Sequence, residues 1–561
     1  MDQIALQRRD AGRVAPDEQT ERAEEEPAAS SASPSTNMGG AVAAWEETPK
    51  EASLLCDGWG NIEDVLNAPI NTPAGDTSWI LVPLFWLLSP LLLILGAMGT
   101  FFQCVFSVYA IGYSCYPSCL FSFDTMMGAV RNGRPWYSAL ATWRMGIAGL
   151  GGLIIRSGRI GQFLWEWETF GKGRWFFHAD GVWNWTYDDC VAVMKSHQHR
   201  RTAFTCAEAA VPDLFSKGLL IFLPNPAGES EWAAMRRAVH EYFLDWRKDT
   251  YKQRLAKLPD ILNETWPTPK TSDLNDRTLL RKTVSKCVFY LIFGVVVTEE
   301  EALFLSNWRA YASLFVIPRT FQRMIFNIGI KRVKTLRRQT VLLIDKYQLR
   351  HVFTTMNNSL PEQYRRSPIV QLVDEVGFLV GFAGIGGSSA AVETIASFLQ
   401  AKVPSEANAN HINFGEYNSP AKMVAAYKVD PEAYIREACR LDPPVVQVTT
   451  VLQEETMVTL SGRQFNWKPG QLRNCCFGMA NRDPAVFPDP TTFNPRRPEL
   501  LKALTWNGAF GNSDESEFPR ICPGRHLSLD VIEAVISHGI GMGGPLTSQR
   551  DLEKPRTSGL C

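Results

Sequence analysis

Between Asp76 and Asp124 the chain carries no charged side chain. Residues 77–123 therefore constrain everything around them. The apolar core of the stretch, Trp79 to about Phe102, is long enough to cross a bilayer as one helix. The remainder, through Cys104, Cys115 and Cys119, is either flanking sequence or the second arm of a hairpin. Pro83 and Pro90 are compatible with a membrane helix. Core helices of soluble proteins rarely run this far without a charge, so a membrane anchor is expected. Arg131, Arg134, Arg144 and Arg156 follow the stretch, and no Lys or Arg stands between Glu51 and it. For a single span, this asymmetry puts the C-terminal body in the cytosol.

The anchor divides the chain. Residues 1–76 are expected to be disordered: the segment around Glu21–Ser35 is rich in Glu, Ala, Ser and Pro and cannot offset the entropy of ordering. No apolar region near Met1 marks a secretory signal, and the frequent acids argue against a transit peptide. Residues 124–165 read as a membrane-proximal linker, 166–544 as one large globular body and 545–561 as a flexible tail. The net charge of −1 gives no reason to expect nucleic acid. Twelve scattered Cys without a metal-type C-x-x-C pair favour a reducing compartment.

Within the body the pattern is mainly α with small β-sheets. A strand-like piece, Gly173–Trp185, is followed by helical stretches at Ser230–Leu258, Asp276–Phe293, Glu299–Phe315 and Arg332–Val352. A long apolar helix covers Ile369–Leu399, and a last helix runs from Cys522 onward.

The chemistry concentrates near the C-terminus, in Phe518-Pro-Arg520-Ile-Cys522-Pro-Gly524-Arg-His-Leu. A Cys at a helix N-terminus meets backbone N–H groups and the positive end of the helix dipole, which favour the thiolate. Gly524 allows close backbone approach to a ligand. About 85 residues upstream, Glu437-Ala-Cys-Arg440 places two charges on one helix face. Taken alone it is no more than a surface pair. Leu441-Asp-Pro-Pro444 then ends the helix, and the segment Ala480 to Arg497 supplies a second guanidinium at Arg497. A buried Glu–Arg pair needs such a third partner.

The order and spacing of these elements resemble the cytochrome P450 superfamily, and Trp232-Ala-Ala-Met-Arg236 resembles its W-x-x-x-R. The resemblance implies the P450 fold, with haem b as cofactor and Cys522 as the ligand of its iron. It implies that Arg520, Trp232, Arg236, Gly524 and Phe518 surround the haem, with Glu437, Arg440 and Arg497 as a structural core. In the monooxygenases of this superfamily the central helix carries an acid–alcohol pair. Here Gly386 and Gly387 fall at those positions, in Gly381-Phe-Ala383-Gly-Ile-Gly386-Gly387-Ser388-Ser389, and Ser388 or Ser389 is the available substitute.

That glycine-rich segment is similar to the allene oxide synthase, hydroperoxide lyase and divinyl ether synthase group. So are Arg440-Leu-Asp-Pro-Pro-Val445, Trp506-Asn507-Gly508 before an acidic insertion, and Phe222-Leu-Pro-Asn-Pro. The plant enzymes place an Asn where Ala383 stands, a departure that leaves the product branch open. This resemblance implies a haem-thiolate enzyme that rearranges fatty acid hydroperoxides without reductase or dioxygen, with Ala383, Gly387 and Ser388 at the distal site. The alternatives are a membrane-bound monooxygenase acting on an apolar molecule, which needs a reductase, and a non-catalytic haem sensor. A membrane is the expected partner, the endoplasmic reticulum first and a plastid membrane second.

Overall fold

In a computed structural model of the chain, the described residues are 58–60, 62–63, 87, 175–178, 181–184, 186–196, 199–201, 220, 223, 225–315, 328–403, 412–444, 447–451, 454–462, 464–467, 472–475, 477–509 and 517–542. The expected anchor, linker and tail lie outside them, apart from Leu87. Among the described residues one helix is long and apolar enough to cross a membrane, Ile369–Leu399, and 72% of its apolar window is buried inside the fold. It is the core helix, distinct from the expected anchor at 77–123.

The body from Leu54 on is helix-rich with two small sheets. Strands β1 (Trp175–His178) and β2 (Gly181–Asn184) form a tight hairpin where a single strand-like piece is expected from sequence. Helix α1 (Tyr187–Lys195) follows, capped by Thr186, and then β3 (His199–Arg201). Helix α2 (Glu231–Val239) starts at Ser230, whose hydroxyl accepts from Ala233 N, and runs into a wider π turn, His240–Leu244. The stretch expected as one helix to Leu258 breaks there, continuing as α3 (Asp249–Ala256) and α4 (Leu258–Thr265).

Helix α5 (Arg277–Phe293) is bounded by strong local signals. Asp276 caps Thr278 N and Leu279 N at 2.9 and 3.1 Å, and Gly294 ends the helix with φ of 73°. Next come α6 (Glu299–Phe315), α7 (Ile328–Lys346), α8 (Arg350–Ser359) and the core helix α9 (Ile369–Leu399). Helices α10 (Pro420–Val429) and α11 (Pro431–Leu441) each begin on a proline at N1, where the missing N–H costs nothing. Strands β4 (Gln447–Val451), β5 (Glu455–Val458), β6 (Gln464–Trp467) and β7 (Leu472–Cys475) precede the last helix, α12 (Arg525–Gly539). The larger sheet has the order β1-β2-β7-β4-β3, with β2 and β7 parallel; β5 and β6 pair antiparallel apart from it.

The main core is built where α9 packs against α5, α6, α11 and α12. Its closest approach is made by glycine. A Cβ on Gly377 or Gly381 would fall 2.3 or 2.6 Å from Trp308 of α6, so the two glycines form the slot that receives this indole. From Gly377 to Gly386 the helix is π-wound, and π segments are frequent at functional sites.

The N-terminal end of α9 corrects the expectation of disorder through residue 76. Gly58 and Trp59 carbonyls accept from Ile369 N and Val370 N at 3.1 and 2.9 Å, which satisfies donors that a helix start leaves open. Trp59 is 3% exposed, against Phe353 and under Arg350. This short apolar piece belongs to the body although the sequence around it does not look foldable.

Candidate functional site

A cavity of about 400 Å³ lies between α9 on one side and the Cys522 segment with α12 on the other. That size is typical of small-molecule sites. Cys522 stands three residues before α12 and is partly exposed, like Pro523 and Gly524 after it. Its backbone is fixed on both sides: Cys522 N donates to Trp506 O at 2.7 Å, and Cys522 O accepts from Arg525 N at 3.3 Å and from the Arg525 guanidinium at 3.1 Å. The sulfur is thus carried by a rigid turn at a helix N-terminus, where negative charge is favoured. Cys439 also lines the cavity, but burial pushes its thiol up to about 12, and it sits within α11. Among the described cysteines, only Cys522 has the placement of a thiolate ligand.

Two cations meet at one edge of the cavity. Arg236 and Arg520 each place a guanidinium 5.4 Å from the Trp232 ring, in cation–π contact with it. Arg236 donates to Ile521 O at 2.7 Å, which ties α2 to the Cys522 turn. Arg520 donates from Nε to Asn225 Oδ1 at 2.7 Å and also to Leu223 O. Asn225 is fully buried, and its Nδ2 has no partner among the described residues.

Sequence reasoning brings Trp232, Arg236, Ala383, Gly387, Ser388, Arg520, Cys522 and Gly524 to this cavity, and all of them line it. Phe518 is a correction. Its ring is 3% exposed in the smaller core cluster with Phe477, Phe487 and Ile521, beneath Lys195. A Cβ on Gly508 would lie 3.1 Å from it, so the glycine of Trp506-Asn507-Gly508 makes room for Phe518. The motif fixes that residue's spacing to Cys522 but not which side of the turn it faces.

Along α9 the lining includes a run of small residues, Ala383, Gly384, Gly386 and Gly387, beside the Phe382 ring. A Cβ on Gly387 would meet nothing within 4 Å. Ser388 donates to Ser528 of α12 at 3.2 Å, and Ser389 is 2% exposed with no partner for its hydroxyl among the described residues. Two features escaped sequence reasoning. Phe243, Phe293 and Phe353 are mutually packed aromatic walls of the cavity. Glu375 is a carboxyl among them, 4% exposed, and burial pushes it up to about 8. Nothing in the sequence distinguishes Glu375 from its neighbour Asp374, which forms a bidentate pair with Arg337 at 2.8 and 2.9 Å.

The donor set fits a haem with carboxylate side groups. A soft thiolate at a helix N-terminus faces the cavity, two guanidiniums and an orphaned amide N–H sit together at its edge, and the opposite wall has room for a flat ring.

Beneath the site, Glu437 and Arg440 of α11 meet Arg497. Arg440 spans both Glu437 oxygens at 2.7 and 2.8 Å, and Arg497 Nε reaches Oε1 at 3.1 Å. The remaining guanidinium donors go to carbonyls of Asn481, Pro488, Pro490 and Thr492. The predicted cluster forms, and it holds the loop that leads to Cys522.

No protein-family model matches the chain. A stretch of 107 residues is similar to cytochrome P450 71D181 of Thymus vulgaris, 32% identical, covering 19% of this chain and 21% of that protein. The chain thus aligns with about a fifth of the length of that curated relative. Among solved structures it is similar to epothilone B-bound cytochrome P450epoK, at TM-score 0.44 and 16% identity over 65% of this chain and 85% of that one. It is also similar to Mycobacterium smegmatis CYP164A2 with econazole bound, at TM-score 0.47 and 16% identity over 69% and 90%. The structural likenesses are weak, and the sequence match, over about a fifth of either protein, is to a member of the cytochrome P450 superfamily.

Proposed function

We propose that this chain is a membrane-anchored haem-thiolate enzyme that rearranges fatty acid hydroperoxides without a reductase or dioxygen. The observation that carries the reading is the pair of glycines on the α9 wall. Gly386 and Gly387 offer no proton-relay group, and the space at Gly387 is open. Haem b bound here supplies one-electron chemistry to the O–O bond of a substrate that already contains its oxidising equivalents. Cys522 would hold the iron, and Arg236, Arg520 and Asn225 would hold the carboxylates of the macrocycle.

The chain's own part is positioning and exclusion of water. Apolar walls from Leu379, Val380, Phe243, Phe293 and Phe353 hold an alkyl chain and keep the site dry, which governs how a reactive species partitions. With Ala383 on the wall no side-chain amide is offered to the substrate at that position. Product branches that need no such contact, such as chain scission or epoxide formation, are the ones this wall supports. Anchoring through residues 77–123 suits a substrate that partitions into lipid, with the catalytic body facing the cytosol, at the endoplasmic reticulum first and a plastid membrane second.

One observation favours a second reading. Ser389 is buried, its hydroxyl without a partner among the described residues, one residue from the cavity-lining Ser388, and a monooxygenase relay would be built on it. The two readings separate on one measurement. Haem-loaded protein is mixed with a polyunsaturated fatty acid hydroperoxide without NADPH or reductase. Cys522-dependent loss of the conjugated diene is the expected result. No loss, with lipid turnover appearing only on addition of reductase and NADPH, overturns the proposal in favour of the monooxygenase.

A further inference from the structure

Glu375 occupies the first α-helical turn of α9, twelve positions before Gly387. Most of that run is π-wound, so the two are less than about 18 Å apart along the axis. Both line the same cavity, as does Cys522. Glu375 Oε1 accepts from Leu220 N at 2.7 Å. Its Oε2, in a residue 4% exposed, has no partner among the described residues.

The charged groups that bear on it are Arg366, Asp374 and Glu231. All three are engaged elsewhere: Arg366 with Glu231 at 2.8 Å, and Asp374 with Arg337 at 2.8 and 2.9 Å. Of these, Arg366 lowers the carboxyl and Asp374 and Glu231 raise it, each by less than burial does. Burial raises its carboxyl to about 8, so at neutral pH the acid form predominates. Because Oε1 accepts the Leu220 N–H, the proton resides on Oε2, which makes that oxygen a donor facing an apolar chamber.

We infer that Glu375 is the head-group recognition residue of this cavity, donating from Oε2 to the carboxylate of a long-chain acid whose tail lies along α9 toward Cys522. The inference rests on the fatty-acid reading of the substrate given above. A buried donor left unpaired is costly, and a hydrogen bond to a charged acceptor is stronger than one between neutral groups. Acids should thus bind better than analogues with a blocked head.

The test is calorimetric binding of an unoxidised polyunsaturated eighteen-carbon acid and its methyl ester to the full-length, haem-loaded chain. Wild type should prefer the acid by about tenfold, the value of one charge-assisted hydrogen bond. Glu375→Gln keeps an acceptor for Leu220 N and an N–H donor in place of Oε2, and should stay within about threefold of wild type for the acid. Glu375→Met, of similar volume but with no strong donor, should lose the preference by weakening the acid alone. Equal weakening of acid and ester in Glu375→Met would mean a purely structural role and overturn the inference. So would a wild type without preference, in which Oε2 holds only a water. Should the methionine variant fail to fold, the wild-type preference and the glutamine variant still decide. Failure of the hydroperoxide reading is separate: acid preference would persist while hydroperoxide is not consumed without reductase.

Discussion

Arg440 grips Glu437 with two parallel hydrogen bonds, Nε to Oε2 at 2.7 Å and Nη2 to Oε1 at 2.8 Å, and neither residue has measurable solvent exposure. The pair is three residues apart on one helix, yet it works over long range, because its other bonds run to the chain between Asn481 and Arg497. Arg440 also lies 5.2 Å over the Phe487 ring. A pair so placed contributes by fixing one geometry for the segment that leads into the Cys522 turn.

Breaking the pair should be severe. Glu437→Gln leaves two buried guanidiniums without their shared anion, and loss of one partner of a buried pair costs about 3–5 kcal/mol. Arg440→Lys should also be strongly destabilising, since an ammonium cannot reproduce the fork. Denaturant midpoints of the wild type and both variants, together with the yield of haem-loaded protein, check this. A cost below about 1 kcal/mol for Glu437→Gln would show that the cluster is not structural.

Cys522→Ala should behave in the opposite way. The residue is partly exposed on a turn held by backbone bonds to Trp506 and Arg525, which the substitution keeps. Folding stability should change by less than about 1 kcal/mol, while the thiolate-type haem spectrum and hydroperoxide consumption are both lost. Cys439→Ala, whose thiol burial holds protonated, should leave both intact. Absorption spectra of the reconstituted variants distinguish the two cysteines.

The glycines of α9 have two different duties, and alanine separates them. In Gly381→Ala the new methyl would fall 2.6 Å from Trp308 Cβ, with the indole already 1% exposed and unable to retreat. Overpacking of this kind costs about 1–3 kcal/mol. Gly387→Ala meets open space and removes a helix-interior glycine, so it should stabilise by about 0.5–1 kcal/mol. Because Gly387 lines the cavity, the same change should weaken binding of bulky ligands. Thermal melts and ligand titrations of the two variants provide the comparison.

How far this architecture can be read from sequence depends on the physical range of each signal. Glu437 and Arg440 are legible because i and i+3 share a helix face and the following prolines end that helix. Arg497 is legible through the need of a buried carboxylate for further partners. The Cys522 turn is legible because a Cys, a Gly and a helix start have a local geometry. Trp59 was not: its docking depends on α8 and α9, some 300 residues away, while its neighbours have the composition of a disordered chain. The duties of Gly377 and Gly381 were hidden for the same reason, since the partner is Trp308 on another helix. The burial of Glu375 has no local signature at all, and Asp374 beside it is paired while Glu375 is not.

That burial yields a pH prediction with a definite sign. The Glu375 carboxyl is raised from an ordinary 4.5 to about 8 by burial, so between those values the folded chain holds a proton that the unfolded chain has released. The unfolded state then binds fewer protons, and stability falls as pH rises through this window, by up to about 1.4 kcal/mol per pH unit from this one group. The contribution is fully present below the unfolded value and is lost as pH passes the folded one. Glu375→Gln cannot ionise. The difference in unfolding free energy between variant and wild type should therefore move in the variant's favour from pH 5 to pH 8 and level off above it. Denaturation midpoints of both proteins at four pH values measure this directly, and a difference that does not vary with pH would show that Glu375 is ionised in the folded chain.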